Sequence, residues 1–411
     1  MHPLFLKTLL FGLIMLIILT AVSFLQFEDF TSCYKVTGKT RNTDNVAAPS
    51  CSPRRNVMFL KTHKTGSTTV QNMLLRYADS RNLNVAIPKD KKTFEADNLF
   101  SAKYVDKYQE NVTSFNFITH HLRFNSVELK KVLKAKDTFY FTIIRHPVSQ
   151  MESAFSFFRR SFAAFKAAKS LEDFLKNANK YYDPASTKGN NELVKNPAWF
   201  DFGYDSTGRY SEHEIAKALL EIGKSFDLIL ITEYFDESMI LLKEAMCWDI
   251  DDVVTFKHNS RNESDRKNIS VDVASRIQDW NSLDWRLYNH FNVTFWAKLE
   301  EMFSPARLQV ELAILREKRK LLEAQCCEDG LFIARKPGTK GAYFKKFLHM
   351  TFQKVRSDLD DELKAKCQKY FMHENEYTKL LYNRQYRKDI PHNSTISESK
   401  NLKHGSLSEI V

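Results

Sequence analysis

The stretch that decides the fold is residues 56–71, NVMFLKTHKTGSTTVQ, where an apolar run passes into a polar, lysine-rich turn and then into a helical pattern. Residues 57–60 (VMFL) are typical of a buried strand, and the apolar residues between Val70 and Tyr77 recur at helical spacing. The turn therefore ends at a helix N-terminus, where unpaired amides and the helix dipole attract anions. The sequence thus predicts a phosphate-binding loop.

This loop differs from the nucleotide P-loop, GxxxxGK[ST], which needs a lysine directly after its second glycine. Here Ser67 follows Gly66, and Lys64 precedes that glycine by two residues, which disfavours a Walker-type NTPase. A lysine ahead of the turn instead resembles the 5′-phosphosulfate loop of sulfotransferases that use 3′-phosphoadenosine 5′-phosphosulfate (PAPS). The alternative is an ordinary strand–turn–helix with surface lysines. The residues predicted to bind the nucleotide here are Lys61, Thr62, Lys64, Thr65, Gly66, Ser67, Thr68 and Thr69.

A second nucleotide-binding segment is predicted at residues 139–155, FYFTIIRHPVSQMESAF. Its strand-like run ends at Arg145, and a helix begins near Pro147, which suits a first turn because proline lacks the N–H that would be unpaired there. Arg145 and Ser153, two turns into that helix, can together hold one phosphate through a bidentate guanidinium and a hydroxyl. The alternatives are a surface ion pair for Arg145 and a solvated helix serine for Ser153.

The two segments together resemble the PAPS-binding pair of Golgi carbohydrate sulfotransferases. More narrowly, FLKTHKTGSTT (59–69), THHLRFN (119–125), WFDFGYD (199–205) and EYFDESMILLKEAMCW (233–248) resemble the galactose 3-O-sulfotransferase family. The likeness extends from about Arg54 to about Glu323 and fades beyond. It implies PAPS-dependent sulfuryl transfer to the 3-hydroxyl of galactose on a glycolipid such as galactosylceramide. The alternatives are galactose on glycoprotein glycans and, in a different class, a non-catalytic luminal glycan-binding protein.

The strand-like runs at residues 57–60, 115–119, 138–144 and 226–231 alternate with helical stretches, which favours one parallel sheet. The predicted fold class is therefore α/β. The resemblance implies a P-loop-like, PAPS-dependent sulfotransferase fold, with helices flanking the sheet and a helical C-terminal extension.

Residues 9–27 are almost wholly apolar and long enough to span a bilayer, with Lys7 before them and two acidic residues after them. A cleaved signal peptide is the alternative, because Ala21-Val22-Ser23 supplies the small residues of a cleavage site. We expect a single-pass type II protein of the Golgi membrane with a luminal catalytic domain. The predicted segments are a cytoplasmic tail (1–8), signal-anchor (9–27), stem (28–54), sulfotransferase domain (55–325), C-terminal extension (326–387) and disordered tail (388–411).

Glycosylation and cysteine usage agree with a luminal location. N-glycosylation sequons occur at Asn111, Asn262, Asn268, Asn292 and Asn393. The six cysteines lack CxxC spacing, which favours disulfides over a zinc site and leaves their connectivity open.

The formal net charge of +11 is spread over the chain without a nucleic-acid-binding module, so we expect no nucleic acid partner. The excess suits a protein that binds an anionic nucleotide near an anionic membrane surface. The expected partners are a galactose-containing glycolipid or glycan and the membrane, and a homodimer is left open. No cluster of metal ligands is visible, and the chemistry requires no metal.

A sugar hydroxyl is a poor nucleophile at neutral pH, so a base is expected among His63, His120 and His121, which follow strands at their carboxyl ends. His121 is the predicted base because it lies in the HLRFN segment, and His63 is second. Strand alternation allows only one of His120 and His121 to face the crevice. Lys64 is predicted to stabilise the bridging oxygen as the sulfuryl group leaves.

The predicted acceptor site consists of Asp201, Tyr204, His120 and Arg123. A carboxylate and an aromatic ring are usual means of holding sugar hydroxyls and ring faces, which suits Asp201 and Tyr204. A loop aspartate can equally cap a turn, so that alternative stays open for Asp201.

Overall fold

In a computed structural model the described residues are 51–95, 97–108, 114–185, 191–256, 268–328, 332–333, 351–352 and 355–386. Their centre is a five-stranded parallel sheet in the order β2-β3-β1-β4-β5. Its strands are β1 (Val57–Leu60), β2 (Val85–Ala86), β3 (Phe117–Ile118), β4 (Phe139–Ile144) and β5 (Leu228–Ile231). A separate antiparallel pair consists of β6 (Phe332–Ile333) and β7 (Thr351–Phe352).

Helices flank this sheet. The first eight are α1 (Ser67–Ser80), α2 (Ser126–Val132), α3 (Pro147–Phe158), α4 (Ala163–Ala167), α5 (Leu171–Lys176), α6 (Ala178–Tyr181), α7 (Pro197–Asp201) and α8 (Glu212–Ser225). The others are α9 (Phe235–Met246), α10 (Ile250–Val253), α11 (Val271–Trp280), α12 (Ser282–Met302), α13 (Pro305–Cys326), α14 (Asp361–Phe371) and α15 (Glu374–Tyr386). Short 3-10 turns occupy Ala102–Tyr104, Asn191–Leu193 and Thr232–Tyr234.

The central strand β1 is buried on both faces, which explains why its sequence is a continuous apolar run rather than an alternating one. Val57 pairs with Phe117 of β3 on one side and with Phe139 of β4 on the other. Each such buried side chain contributes roughly 1.5 to 3 kcal/mol of transfer free energy. The predicted α/β class and its four strands are confirmed, and β2 is an additional edge strand that the sequence did not predict.

The strand order determines where the functional residues lie. Strand β1 lies between β3 and β4, and all three strands run in the same direction. Their carboxyl ends therefore meet at one edge, which brings together the loop at 61–66, the segment at 119–125 and Arg145. A ligand crevice is expected at such an edge of an open parallel sheet.

The C-terminal helices α14 and α15 pack against α1 rather than forming a separate body. Asn72 of α1 donates a hydrogen bond to the carbonyl of Lys369 (3.0 Å), and Arg384 contacts the Asp79 carboxylate (3.0 Å). A disulfide joins Cys326 to Cys367 and so connects the end of α13 to α14. The predicted helical extension is confirmed, and it completes the same fold.

Several predicted features lie outside the described residues. These are the cytoplasmic tail, the 9–27 segment, most of the stem, the sequons at Asn111, Asn262 and Asn393, and the tail at 388–411. Within the described ranges no helix combines the length and hydropathy needed to cross a bilayer. Asn268 is exposed just ahead of α11, whereas Asn292 is half-buried within α12.

Candidate active site

The phosphate loop joins β1 to α1 through a backbone with left-handed residues. Gly66 has φ 75° and immediately precedes α1, and Lys64 has φ 61°. The Ser67 hydroxyl donates to the Thr62 carbonyl (2.6 Å), and the Thr62 and Thr65 hydroxyl oxygens lie 2.8 Å apart, which holds the loop closed. No side chain of the described residues caps α1. The Thr69 amide donates to the Gly66 carbonyl (3.0 Å), and a contact of the Ser67 and Thr68 amides with an anion stays a prediction.

Lys64 and Arg145 connect this loop to the segment after β4. The Lys64 ammonium lies 3.7 Å from the centroid of the Phe157 ring on α3, and the Lys64 carbonyl accepts a hydrogen bond from Arg145 Nη1 (3.2 Å). Arg145 Nε lies 3.9 Å from Glu233, whose carboxylate also accepts from the His146 amide (3.1 Å). The loop thus carries one cation, Lys64, and is contacted by a second, Arg145.

Ser153, predicted to share a phosphate with Arg145, is 9% exposed on α3, so it is not the solvated helix serine of the alternative interpretation. Thr232, just after β5, also braces the loop, because its hydroxyl lies 2.6 Å from the Thr65 carbonyl. The roles of Arg145 and Ser153 in nucleotide binding stay predictions.

His63 is held by a carboxylate. Its amide donates to Asp201 Oδ2 and its Nδ1 lies against Asp201 Oδ1, both at 2.8 Å. Asp201 is 1% exposed at the end of α7, and Gln150 of α3 donates to the His63 carbonyl (2.8 Å). Because an ionised carboxylate only accepts hydrogen bonds, neutral His63 carries its proton on Nδ1 and its lone pair on Nε2.

His121 stacks on His63, with ring centroids 4.1 Å apart and 15° between the planes. Its Nδ1 donates to the Lys61 carbonyl (2.8 Å), which again leaves the lone pair on Nε2. Burial, followed by the neighbouring His63 and Lys61, lowers the pKa of His121 well below the usual value for histidine. His121 is therefore a neutral imidazole at physiological pH.

His120 and Lys61 contact a different element, the C-terminal helix α15. Thr378 donates its hydroxyl to the Glu374 carbonyl (2.7 Å) and so accepts from His120 Nε2 (2.8 Å). Burial, followed by Lys61, lowers the pKa of His120 to about 4. The Lys61 ammonium, 2% exposed, is paired with the Glu374 carboxylate and donates to Gln71 Oε1 (2.7 Å). The charge of Lys61 is therefore matched within the protein, and its contact with nucleotide stays a prediction.

The remaining predicted acceptor residues brace the loop at 199–205. Arg123 donates to the carbonyls of Phe200 (3.3 Å) and Tyr204 (3.1 Å), and its guanidinium lies 4.1 Å from the Phe200 ring centroid. The Tyr204 hydroxyl lies 3.2 Å from the Glu221 carboxylate, and burial raises the pKa of Tyr204. Gly203 has φ 94°, and a Cβ there would lie 2.4 Å from the Phe124 carbonyl oxygen, so only glycine fits. Direct contacts of Arg123 and Tyr204 with sugar stay predictions.

The sequence interpretation missed several residues of this site. Gln150, Glu233 and Thr232 support the loop from α3 and from the end of β5, and Glu374 and Thr378 support it from α15. Two of these residues had a usable signal: Glu233 begins the EYFDESMILLKEAMCW segment, and Gln150 lies within FYFTIIRHPVSQMESAF. Among the described residues no group of three or more His, Cys, Asp or Glu side chains is arranged for a metal ion. That no metal is needed stays a prediction.

The fold and the site define an α/β protein whose central parallel strand leads through a tight loop to a helix N-terminus, with two stacked histidines at that loop. The galactose-3-O-sulfotransferase family model matches residues 3–385. The chain therefore belongs to that family and is a sulfotransferase that acts on galactose.

Individual relatives agree with this assignment. The chain is 42% identical over 290 residues to mouse galactose-3-O-sulfotransferase 2, covering 70% of this chain and 72% of the relative. It is 36% identical over 289 residues to mouse galactosylceramide sulfotransferase, covering 70% of this chain and 67% of the relative. It is 33% identical over 355 residues to bovine galactose-3-O-sulfotransferase 4, with 69% and 72% covered.

Proposed function

We propose that the protein transfers the sulfuryl group of PAPS to the 3-hydroxyl of a terminal galactose residue. The observation that carries this proposal is His63, which combines a carboxylate-held Nδ1 with a position in the anion-binding loop. A general base and a phosphosulfate site are the two requirements of sulfuryl transfer to a hydroxyl. His63 and the loop at 61–66 that contains it would supply both.

Two acceptor classes are candidates. A glycolipid such as galactosylceramide is supported by the relative named galactosylceramide sulfotransferase, at 36% identity. Galactose on a larger glycan is supported by the higher identity, 42%, to a relative whose name specifies galactose alone. A polar pocket lined by Arg123 and Phe200 also favours a glycan over a bare lipid.

The chain's residues fit a donor with phosphate groups. The amides of Ser67 and Thr68 and the Lys64 ammonium would hold the 5′-phosphosulfate, and Arg145 with Ser153 would hold the 3′-phosphate. PAPS would supply the activated sulfuryl group. The remaining tasks, removal of the hydroxyl proton and neutralisation of the departing phosphate oxygen, fall to side chains of the protein.

We assign removal of the proton to His63, which reverses the order of the two histidines given by the sequence alone. The Asp201 carboxylate would stabilise the imidazolium that forms when His63 Nε2 takes the acceptor proton. His121 Nδ1 instead meets the Lys61 carbonyl, and no carboxylate within the described ranges is hydrogen-bonded to it; its low pKa also disfavours protonation. As the bond from sulfur to the galactose oxygen forms and the bond to the bridging oxygen breaks, Lys64 would offset the charge left on phosphate. His121 would hold the His63 ring in place by stacking, and its Nε2 would accept a hydrogen bond from a sugar hydroxyl.

The proposal includes a Golgi membrane location with the catalytic domain in the lumen. The disulfide between Cys326 and Cys367 supports an oxidising compartment. Protease protection of the protein in sealed microsomes tests the orientation. Digestion of the catalytic domain without detergent would contradict it.

The activity test incubates the purified full-length protein in detergent with labelled PAPS and three acceptors: galactosylceramide, lactosylceramide and N-acetyllactosamine. We expect label on carbon 3 of galactose, in EDTA as well as in magnesium. Calorimetry in EDTA should also show binding of PAPS and of 3′,5′-adenosine bisphosphate. The proposal fails if no acceptor is labelled, or if ATP competes with PAPS on equal terms.

A further inference from the structure

A pocket of about 280 Å³ is lined by Arg123, which follows His121 by two residues, and by Phe200, which directly precedes Asp201. Its lining includes the charged residues Asp97, Arg123, Glu192 and Asp205 and the aromatic residues Tyr182 and Phe200. The proton-transfer scheme above uses none of them.

Two connections place this pocket next to the reaction centre. Arg123 lies two residues after His121 in an extended segment that bridges residues 93 and 99 in parallel, with buried Leu122 between them. Alternation puts His121 and Arg123 on the same face, with Cα atoms roughly 7 Å apart. On the other side, Phe200 directly precedes Asp201, the residue that holds His63. The pocket therefore shares one wall segment with His121 and another with Asp201.

The charges of the pocket argue against an anionic occupant. Asp97, Glu192 and Asp205 bring three carboxylates, whereas Arg123 brings one guanidinium that already donates to backbone carbonyls. Carboxylates accept hydrogen bonds, so they suit a neutral ligand that is rich in hydroxyl groups. An apolar lipid chain would leave these charges desolvated and unpaired, which is costly.

The Glu192 and Tyr182 side chains are suited to contact such a ligand. Asp205 already accepts from the Thr207 amide (2.9 Å) and hydroxyl (2.8 Å). Among the described residues, by contrast, no side-chain hydrogen bond engages the Glu192 carboxylate or the Tyr182 hydroxyl. Tyr182 is fixed by an edge-to-face contact with Trp280, at 5.3 Å between ring centroids. A fixed aromatic ring with a few polar groups is typical of a carbohydrate-sized binding site.

We propose that this pocket binds the second sugar of the acceptor, the residue to which the terminal galactose is attached. The inference rests on the proposed function, since it takes the histidine pair as the site of galactose. It deepens that function by selecting acceptors that carry a disaccharide end. Such an end occurs both on glycolipids of the lactosylceramide type and on glycans with an N-acetyllactosamine unit.

The test compares a one-sugar acceptor, methyl β-galactoside, with lactose, N-acetyllactosamine and lactosylceramide. For Glu192→Gln we expect the KM of the disaccharide acceptors to rise about tenfold or more, as for a lost charge-assisted hydrogen bond. For Tyr182→Phe we expect a rise of about threefold, as for a neutral hydrogen bond. The kcat/KM for methyl β-galactoside and the Kd for 3′,5′-adenosine bisphosphate should change less than about twofold.

Matched controls come from neighbouring residues. Tyr181 precedes Tyr182, but its hydroxyl donates to Asp173 (2.9 Å) outside the pocket, so Tyr181→Phe should leave all KM values unchanged. Glu172→Gln removes an exposed carboxylate of α5 that pairs with Lys176, with the same expectation.

The outcomes separate this inference from the proposed function. Equal losses on methyl β-galactoside and on the disaccharides, or no loss on either, would overturn the second-sugar pocket while wild-type activity persists. A rise in KM confined to lactosylceramide or to the soluble disaccharides would support the second-sugar pocket and identify whether a glycolipid or a glycan supplies the sugar. A wild-type protein that sulfates neither class of acceptor would instead refute the proposed function.

Discussion

The two sides of the phosphate loop use the same kinds of side chain in opposite ways. On the front face, defined by His63, Lys64 and His121, two stacked imidazoles each keep a lone pair on Nε2. On the rear face, defined by Lys61 and His120, a cation and an imidazole are engaged by α15. Both faces draw their residues from the same two chain segments, the loop at 61–66 and the segment at 119–125. The contacts of these residues, rather than their type, therefore decide which of them are proposed to act in catalysis and which stabilise the fold.

The difference between the faces has an energetic basis. Lys61 is a buried ammonium, and burial of a charge is tolerated only when a counter-charge and hydrogen bonds replace water. The C-terminal helix supplies the counter-charge, so the rear face needs α15 to be in place. The front face instead presents the two stacked imidazole rings, whereas the counter-charge that α15 supplies through Glu374 goes to Lys61.

The largest expected effect comes from the front face. His63→Ala should lower turnover by roughly 10² to 10⁴-fold, the usual contribution of a general base. Because His63 lies in the loop, the Kd for PAPS should also rise. Steady-state kinetics with labelled PAPS measures both, with folding checked by circular dichroism.

His120→Ala provides the contrast on the rear face, where turnover per folded molecule should change little. His121→Ala tests the alternative that His121 is the base. Turnover that survives His63→Ala and collapses in His121→Ala would transfer the role of base to His121.

The next effect concerns the rear face and stability. Glu374→Gln removes the counter-charge of buried Lys61 and should lower the free energy of unfolding by on the order of 3 kcal/mol. Urea unfolding monitored by fluorescence measures this change. Glu376→Gln, on an exposed position of the same helix, should have almost no effect. Equal urea midpoints for wild type and Glu374→Gln would mean that the Lys61–Glu374 pair contributes nothing to the free energy of unfolding.

A smaller effect is expected at Arg145. Arg145→Ala removes a charge-assisted contact of roughly 1.5 to 3 kcal/mol, so binding of the 3′-phosphorylated nucleotide should weaken about tenfold or more. Adenosine 5′-phosphosulfate, which lacks the 3′-phosphate, should bind with nearly unchanged affinity. Calorimetry in EDTA compares the two ligands, with Arg160→Ala, an exposed arginine just after α3, as control. Equal losses for both ligands would place the 3′-phosphate elsewhere.

The smallest effect is the pH dependence of stability at His120. Its pKa is about 4 in the folded protein because of burial, against about 6.5 in the unfolded chain. As pH falls from 6.5 to 4 the unfolded state takes up the proton first, so stability is lost across that window. The loss is roughly 2 kcal/mol at pH 5.

The change His120→Gln should reduce the loss of unfolding free energy at acid pH, since glutamine does not titrate there. His121 is present in both proteins, so its own contribution cancels in the comparison. The test measures the urea midpoints of unfolding of wild type and His120→Gln at pH 5 and pH 7. Parallel curves for the two proteins would show that His120 does not cause the acid sensitivity.

The sequence predicted the parts of this comparison that depend on local pattern. Strands β1 and β5 are continuous apolar runs, β4 is apolar apart from Thr142, and the loop after β1 has a recognisable spacing. Alternation also predicted that His120 and His121 would face opposite ways, and the two side chains do contact different elements.

Partners distant along the chain could not be predicted. Glu374 lies 313 residues from Lys61, and Asp201 lies 138 residues from His63. Asp201 was expected to contact sugar, and no local pattern distinguishes that role from holding a histidine. Strand β2 is two residues long and too short to show a period.

The central claim is that His63 on the front face removes the proton during sulfuryl transfer to galactose. Its most direct test is chemical rescue, measured as the rate of labelled sulfate transfer from PAPS to a β-galactoside by His63→Ala with increasing imidazole. The account predicts a rate that rises with free imidazole base for His63→Ala, and no such rise for wild type or for His120→Ala. A His63→Ala protein that is folded, binds PAPS and turns over at the wild-type rate without imidazole would contradict the account.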